Sequence, residues 1–220
     1  MNVNIFGFGS IGKRHLKHLL RFQFIKEIKI FTRKSVDLSN YDSRVTSIFF
    51  KDLEFHKSFL TIIATPANTH IEFIKLCYNF SDFILVEKPL TDYKEYPNLS
   101  KLDPKQKIFV GYNLRFLDII QHLKLIINNL IKSNTSFSLN VLNTSHIETW
   151  RDQSVKESIS LNPNKGGGAL LELSHDIDLV DFLLGIDKEK IIINKIKQPL
   201  NINNIDFSDN CSGISMQNIP

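Results

Sequence analysis

Three glycines near the start of the chain leave it few ways to fold. Residues 5–12 read Ile-Phe-Gly-Phe-Gly-Ser-Ile-Gly, after an apolar run from Val3 to Phe6 and before a stretch with helical periodicity from Lys13 to Phe24. This is G-x-G-x-x-G set where a strand becomes a helix. Gly7 allows the tight turn, Gly9 lets a pyrophosphate approach the backbone, and Gly12 lets helix and strand pack closely. The free N–H groups at the start of the helix carry the positive end of its dipole toward a phosphate. Ile11, Leu16, Leu19 and Leu20 give the helix one apolar face. The pattern points to dinucleotide binding. A purely structural βα turn is the alternative, because glycine turns are common.

The rest of the first half alternates strands and helices. Strands are expected at Glu27–Thr32, Thr46–Phe50, Phe59–Ala64, Asp82–Glu87 and Lys107–Gly111, and a helix at Asn68–Asn79. Continuous apolar strands between helices imply a parallel sheet covered on both faces. The fold class expected is α/β, a Rossmann-type doubly wound sheet over residues 1–115. Residues 116–220 read as an α+β domain with an incomplete, mainly antiparallel sheet. Its helices are expected at Leu117–Leu130 and Ala169–Leu184, and its strands at Ser136–His146, Ile191–Ile196 and Asn210–Met216. The polar segment Arg151–Lys165 reads as a loop over the cleft.

Bulk properties exclude several classes. The 220 residues are 42% hydrophobic and 23% charged, ordinary for a globular chain. The net charge of +4 is mild, and the densest basic patch, Lys13, Arg14, Lys17 and His18, reads as a solvated helix face rather than a nucleic-acid site. Cys77 and Cys211 have neither metal spacing nor a disulfide pattern, which suggests reduced thiols. No signal peptide and no membrane-length apolar run is visible, so a cytoplasmic protein without membrane or nucleic-acid partners is expected.

Several residues could carry chemistry. Glu87-Lys88-Pro89 follows a buried strand, at the end of a sheet where ligands bind in open α/β folds. A partly buried lysine there could exchange a proton near neutrality; a lysine that merely caps the strand is the alternative. Thr65-Pro66-Ala67-Asn68-Thr69-His70 follows another buried strand and would line a cofactor cleft, although His70 is also a plausible helix-start residue. Asn113 and Arg115 are polar groups in an apolar run after the last strand of the first half. Trp150-Arg151 could stack on a ring-shaped substrate and bond to it; the tryptophan could equally be core. In the run Gly166-Gly167-Gly168 to Asp178, Glu172, His175 and Asp178 are spaced to share a helix face. That suits an acid/base histidine with a carboxylate partner, or a plain surface charge cluster. No metal site is expected, because three ligands on consecutive turns lack a fourth. After the second expected strand stand Thr32, Arg33 and Lys34. A ribose-binding site for NAD prefers Asp or Glu there, whereas Arg33 and Lys34 suit a 2′-phosphate, so NADP is favoured over NAD. Asp37 could still reach a ribose.

These motifs, in this order and spacing, resemble the glucose–fructose oxidoreductase/inositol dehydrogenase (Gfo/Idh/MocA) family. The elements are Gly7-x-Gly9-x-x-Gly12, Ala64-Thr65-Pro66-Ala67-Asn68-Thr69-His70, Glu87-Lys88-Pro89-Leu90, Gly111-Tyr112-Asn113-x-Arg115-Phe116, and Gly166-Gly167-Gly168-x-Leu170-Leu171-x-Leu173-Ser174-His175-x-x-Asp178. The resemblance implies hydride transfer between a nicotinamide and a hydroxyl-bearing carbon of a sugar, sugar derivative or cyclitol, with Lys88 exchanging the hydroxyl proton. His175 would hold that hydroxyl or act as acid/base. The form around Trp150-Arg151 resembles members linked to surface-polysaccharide sugars. Glu172 stands where many members have Asp and is one methylene longer. The implied substrate contacts are Lys88, Arg115, Trp150, Arg151, Glu172 and His175. The implied cofactor contacts are Gly7, Gly9, Ser10, Ile11, Gly12, Thr32, Arg33, Thr65, Pro66, Asn68, His70, Glu87, Lys88 and Asn113. Members of the family are generally longer, with a fuller second-domain sheet that makes a homo-oligomer contact. Here that sheet is expected to be incomplete, with the remainder lost or supplied by a partner. A non-catalytic dinucleotide-binding remnant or sensor is the rival function.

Overall fold

The computed structural model describes residues 1–52, 56–92, 107–141 and 174–185, and the backbone of 201–202 and 205–206. The chain divides into two compact units, Met1–Gly111 and Tyr112–Pro220. The division falls slightly before the boundary expected at Arg115.

The first unit is built on six parallel strands: β1 (Asn2–Phe6), β2 (Glu27–Thr32), β3 (Val45–Phe49), β4 (Ser58–Ile63), β5 (Ser81–Val86) and β6 (Ile108–Val110). Their order is β3-β2-β1-β4-β5-β6. The chain leaves the centre in one direction after β1 and in the other from β4, so the switch point lies between β1 and β4. The register sets Ile5 beside Ile30 of β2 and Ile62 of β4.

Alternation of side chains divides the core between the two faces of the sheet. One face buries Val3, Ile5, Ile28, Ile30 and Ile62 under Leu16 and Leu19 of helix α1 (Ser10–Leu19). The other buries Phe6, Phe31, Ile63, Ile84 and Val86 under Ile71, Phe73, Ile74 and Cys77 of helix α2 (His70–Cys77). Each fully buried large apolar side chain contributes about 1.5–3 kcal/mol. Phe6 stacks on Phe31 at 4.6 Å between centroids, locking β1 to β2 on that face. Burial pushes the Cys77 thiol up to about 12, which makes it a core residue rather than a nucleophile.

Both described helices of the first unit differ from expectation. α1 opens at Ser10 rather than Lys13 and ends at Leu19 rather than Phe24. Extended Gly9 is its N-cap, so the last glycine of the motif lies inside the helix. At its other end, the Arg44 guanidinium takes the carbonyls of Leu20, Phe22 and Ile25, which closes the chain into a turn. The helix expected over Asn68–Asn79 is a 3-10 turn at Ala67–Thr69 followed by α2.

In the second unit, a 3-10 turn (Asn113–Phe116) leads into helix α3 (Asp118–Lys132), and helix α4 spans Ser174–Leu184. The residues from Ser136 to Val141 form no strand, contrary to expectation. They are mostly exposed, and among the described residues no strand lies alongside to supply ladder partners; alternation alone does not make a strand. The rest of the strand expected to His146 lies outside the described residues, as do Ile191–Ile196 and Asn210–Met216. The short strands β7 (Asn201–Ile202) and β8 (Ile205–Asp206) pair antiparallel.

Candidate functional site

The carboxyl ends of the parallel strands carry most of the residues singled out in the first half. The sheet continues there by single backbone bonds. Gly7 N–H donates to Phe31 O (3.0 Å), Ala64 N–H to Phe6 O (2.8 Å), Glu87 N–H to Ile63 O (2.9 Å) and Gly111 N–H to Val86 O (2.7 Å). Four loops therefore leave the sheet from fixed positions.

The β1–α1 loop is shaped by its glycines. Gly7 has φ +90°, and a side chain there would also meet Ala64 O at 2.6 Å. A methyl on Gly12 would run into the Gly7 carbonyl oxygen, so helix and turn touch backbone to backbone. At Gly9 a methyl would meet nothing; the space before the loop is open. The helix has no side-chain cap and no acidic residue in its first turn. Its first N–H groups, from Ser10 and Ile11 onward, are thus uncovered by side chains, beside an open volume and at the positive end of the dipole. This arrangement fits a dinucleotide's pyrophosphate.

At the end of β2, Thr32 is buried and its Oγ1 accepts the Lys34 N–H at 3.3 Å. Arg33 is exposed, with its guanidinium 6.0 Å from the Phe50 ring centre. Asp37 is exposed and caps the Ser39 N–H at 2.9 Å; that bond lowers the pKa of its carboxyl.

After β4, Thr65, Pro66 and Asn68 are half-buried in the turn leading to α2. Thr69 Oγ1 lies 2.9 Å from Thr65 Oγ1 and 2.7 Å from Pro66 O, which closes the turn on itself. His70, expected to contact cofactor, has no exposed surface. Its Nε2 lies 2.8 Å from Thr65 O and its Nδ1 3.0 Å from Pro89 O. It ties protein to protein instead of facing the cleft.

After β5, Lys88 is half-buried and joined to Pro89 by a cis peptide bond. Glu87 receives a bond from His15 Nε2 at 2.6 Å, and Gly111 lies against its carboxylate, where a methyl would come within 3.3 Å. Sequence reasoning passed over His15 inside a basic patch. Its spacing held a signal: it stands one turn beyond Gly12 and four residues beyond Ile11, on the helix side that faces the sheet.

The second unit holds the remaining described candidates. The Tyr112 and His175 rings meet edge to face at 5.7 Å, and the edge of one ring on the face of another fixes their mutual orientation. Burial raises the Tyr112 phenol's pKa. Arg115, expected to bind substrate, is engaged by Asp178. Its Nε donates to Asp178 Oδ2 at 2.8 Å, a second guanidinium nitrogen donates to Oδ1, and Asp181 lies 3.7 Å away. The bidentate carboxylate raises the Arg115 pKa. Asp178, which spacing also set beside His175, thus holds Arg115. Asn113 is exposed. Trp150, Arg151 and Glu172 lie outside the described residues. Among the described residues no cluster of His, Cys, Asp and Glu could hold a metal ion, and no helix is long and apolar enough to cross a membrane.

No family model matches the sequence, and no curated protein matches it. Solved structures do. Scyllo-inositol dehydrogenase from Lactobacillus casei superposes with TM-score 0.61 at 18% identity, over 84% of this chain and 55% of that one. Myo-inositol 2-dehydrogenase from Lactobacillus plantarum gives 0.60 at 20%, over 85% and 57%. The WlbA dehydrogenase from Thermus thermophilus, solved with NAD and UDP-GlcNAcA, gives 0.59 at 18%, over 84% and 63%. The chain therefore shares the fold of these dehydrogenases and spans little more than half of their length.

Proposed function

We propose that this chain is an NAD(P)-dependent oxidoreductase of the Gfo/Idh/MocA type, acting on a CH–OH group of a sugar, sugar derivative or cyclitol. The observation that carries the reading is the placement of Lys88. It leaves the carboxyl end of β5, while the glycine loop leaves that of β1, in a sheet whose order reverses between β1 and β4. Solved proteins of the same fold support the substrate class: one holds NAD(H) and scyllo-inositol, another NAD and UDP-GlcNAcA. A role in surface-polysaccharide sugar synthesis is the narrower form of the reading.

A nicotinamide bound here supplies or accepts the hydride. The chain's own residues do the rest. Gly9 leaves room for the pyrophosphate, and the first N–H groups of α1 donate to it. The Lys88 amine takes the hydroxyl proton when the carbon is oxidised and returns it on reduction. His175 is assigned to hold the reacting hydroxyl. Arg33 and Lys34 are assigned to a 2′-phosphate, giving NADP preference.

Lys88→Met tests the reading. Turnover on a panel of sugars and cyclitols should fall by about 10²-fold or more, with NADPH and NADH affinity, read by fluorescence titration, little changed. Undiminished turnover in the variant refutes the role of Lys88. Cofactor binding without turnover of any panel member by the wild type favours a sensor.

A further inference from the structure

His70 is the one fully buried histidine among the described residues, and the proposed chemistry does not use it. A buried imidazole is costly unless its polar atoms find partners. Both nitrogens of this ring face carbonyl oxygens, Thr65 O at 2.8 Å and Pro89 O at 3.0 Å. These carbonyls belong to different loops: one follows β4, and the other sits beside Lys88 after β5. The β4–β5 register ends with Ile63 opposite Val86. One further backbone bond, from Glu87 N–H to Ile63 O, extends it. His70 cross-links the chain just beyond that bond.

We propose that His70 is a positioning residue: a buried clamp that fixes the Lys88–Pro89 turn to the Thr65–Pro66 turn. The clamp follows from the geometry alone; its consequence for Lys88 rests on the oxidoreductase reading. A neutral ring carries one N–H and satisfies one of the two carbonyls, while a charged ring satisfies both. The charged form is opposed by burial, the larger influence, and favoured by the backbone of Thr65, Pro89 and Leu90 and by Glu87. The Glu87 carboxylate is itself held by His15, and Lys88 is the next residue along. Of the two carbonyls, only Pro89 O lies on the turn that carries Lys88, so a lost bond frees that turn directly.

Hydrogen exchange on the full chain, read by mass spectrometry, tests the clamp in His70→Phe and His70→Gln. Phe keeps a ring without nitrogens, and Gln keeps an amide nitrogen that can donate to one of the carbonyls. In His70→Phe, amides of residues 64–70 and 87–91 should exchange about tenfold faster together, the loss of roughly one hydrogen bond. β1 and β2 should not change, and Gln should restore part of the protection. No acceleration, or acceleration in one segment only, overturns the clamp. If His70→Phe unfolds as a whole, the wild-type ring decides. A ring N–H seen by nitrogen-15 NMR in slow exchange with water supports the clamp; a ring whose N–H exchanges freely overturns it.

Positioning of Lys88 has its own readouts. The kcat of His70→Gln should fall about tenfold while the sugar KM moves by less than about threefold; unchanged kcat with both segments loosened overturns the positioning role. Acylation of Lys88 by an amine reagent, followed by mass spectrometry, should be faster in His70→Phe and needs no turnover. If the wild type oxidises no sugar, the oxidoreductase reading fails, while exchange and acylation still decide the clamp.

Discussion

The glycine corner of the first unit and the Arg115–Asp178 contact of the second hold candidate residues by different means. At the corner, backbone touches backbone: Gly12 against the Gly7 carbonyl, Gly7 against Ala64 O. Nothing there can move aside, so the loop is set by the sheet itself. In the second unit, α4 is pinned to the turn before α3 by one bidentate ion pair, and His175 meets Tyr112 through ring edges. Side chains on flexible stems do that work. Geometry made by backbone packing tolerates no added atom, whereas geometry made by side chains fails only when a partner is removed.

Substitutions can break or sharpen this contrast. Gly12→Ala should have the largest effect, destabilising the chain by about 3 kcal/mol or more and abolishing the proposed dinucleotide binding, because two backbone segments must part. Chemical denaturation and NADPH titration check it; a variant with wild-type midpoint and affinity would show that the corner yields after all. Arg115→Ala comes next. It leaves the buried Asp178 carboxylate unpaired, at a cost of about 2 kcal/mol, reduced from that of a fully buried pair because Arg115 is partly exposed. Thermal melts should show the loss while, on the proposed function, the affinity for NADH or NADPH stays near wild type. Gly111→Ala should cost about 1 kcal/mol, since the new methyl presses on the Glu87 carboxylate, a side chain that can give way. Its expected signature is a weakened His15–Glu87 bond, visible as a changed His15 ring resonance.

The smallest effect concerns acidity. Burial holds the His70 pKa below the ordinary imidazole value, so the unfolded chain takes the proton more readily than the folded one. The resulting stability is complete above about pH 6.5 and is lost as pH falls toward the lowered folded-state value. Stability of the wild type minus that of His70→Gln, measured from pH 8 to pH 5, should decline on acidification. A flat difference would contradict the direction.

Much of the first unit was legible from pattern. Apolar runs such as Phe-Leu-Thr-Ile-Ile and Phe-Ile-Leu-Val fit strands of a parallel sheet, although Phe59 and Phe83 at their starts stay exposed, and all six strands lie within a residue or so of expectation. The strand expected from Ser136 was not legible in the same way. Its alternation is a local property, and a strand exists only where another strand offers its hydrogen bonds. Arg115, Asp178 and His70 were legible as notable residues but not in their partnerships. Spacing along one helix linked Asp178 to His175; the fold also brings Arg115 to it from 63 positions away.

The amino-acid sequence by itself determined the order of strands and helices, the glycine turn, and the candidacy of Lys88, because periodicity and backbone freedom are properties of neighbouring residues. Tertiary structure alone decided that His15 reaches Glu87 across 72 positions and that His70 turns inward between two loops. Those contacts depend on which strand ends lie side by side, and strand order is set by packing both faces of the sheet, not by any local signal.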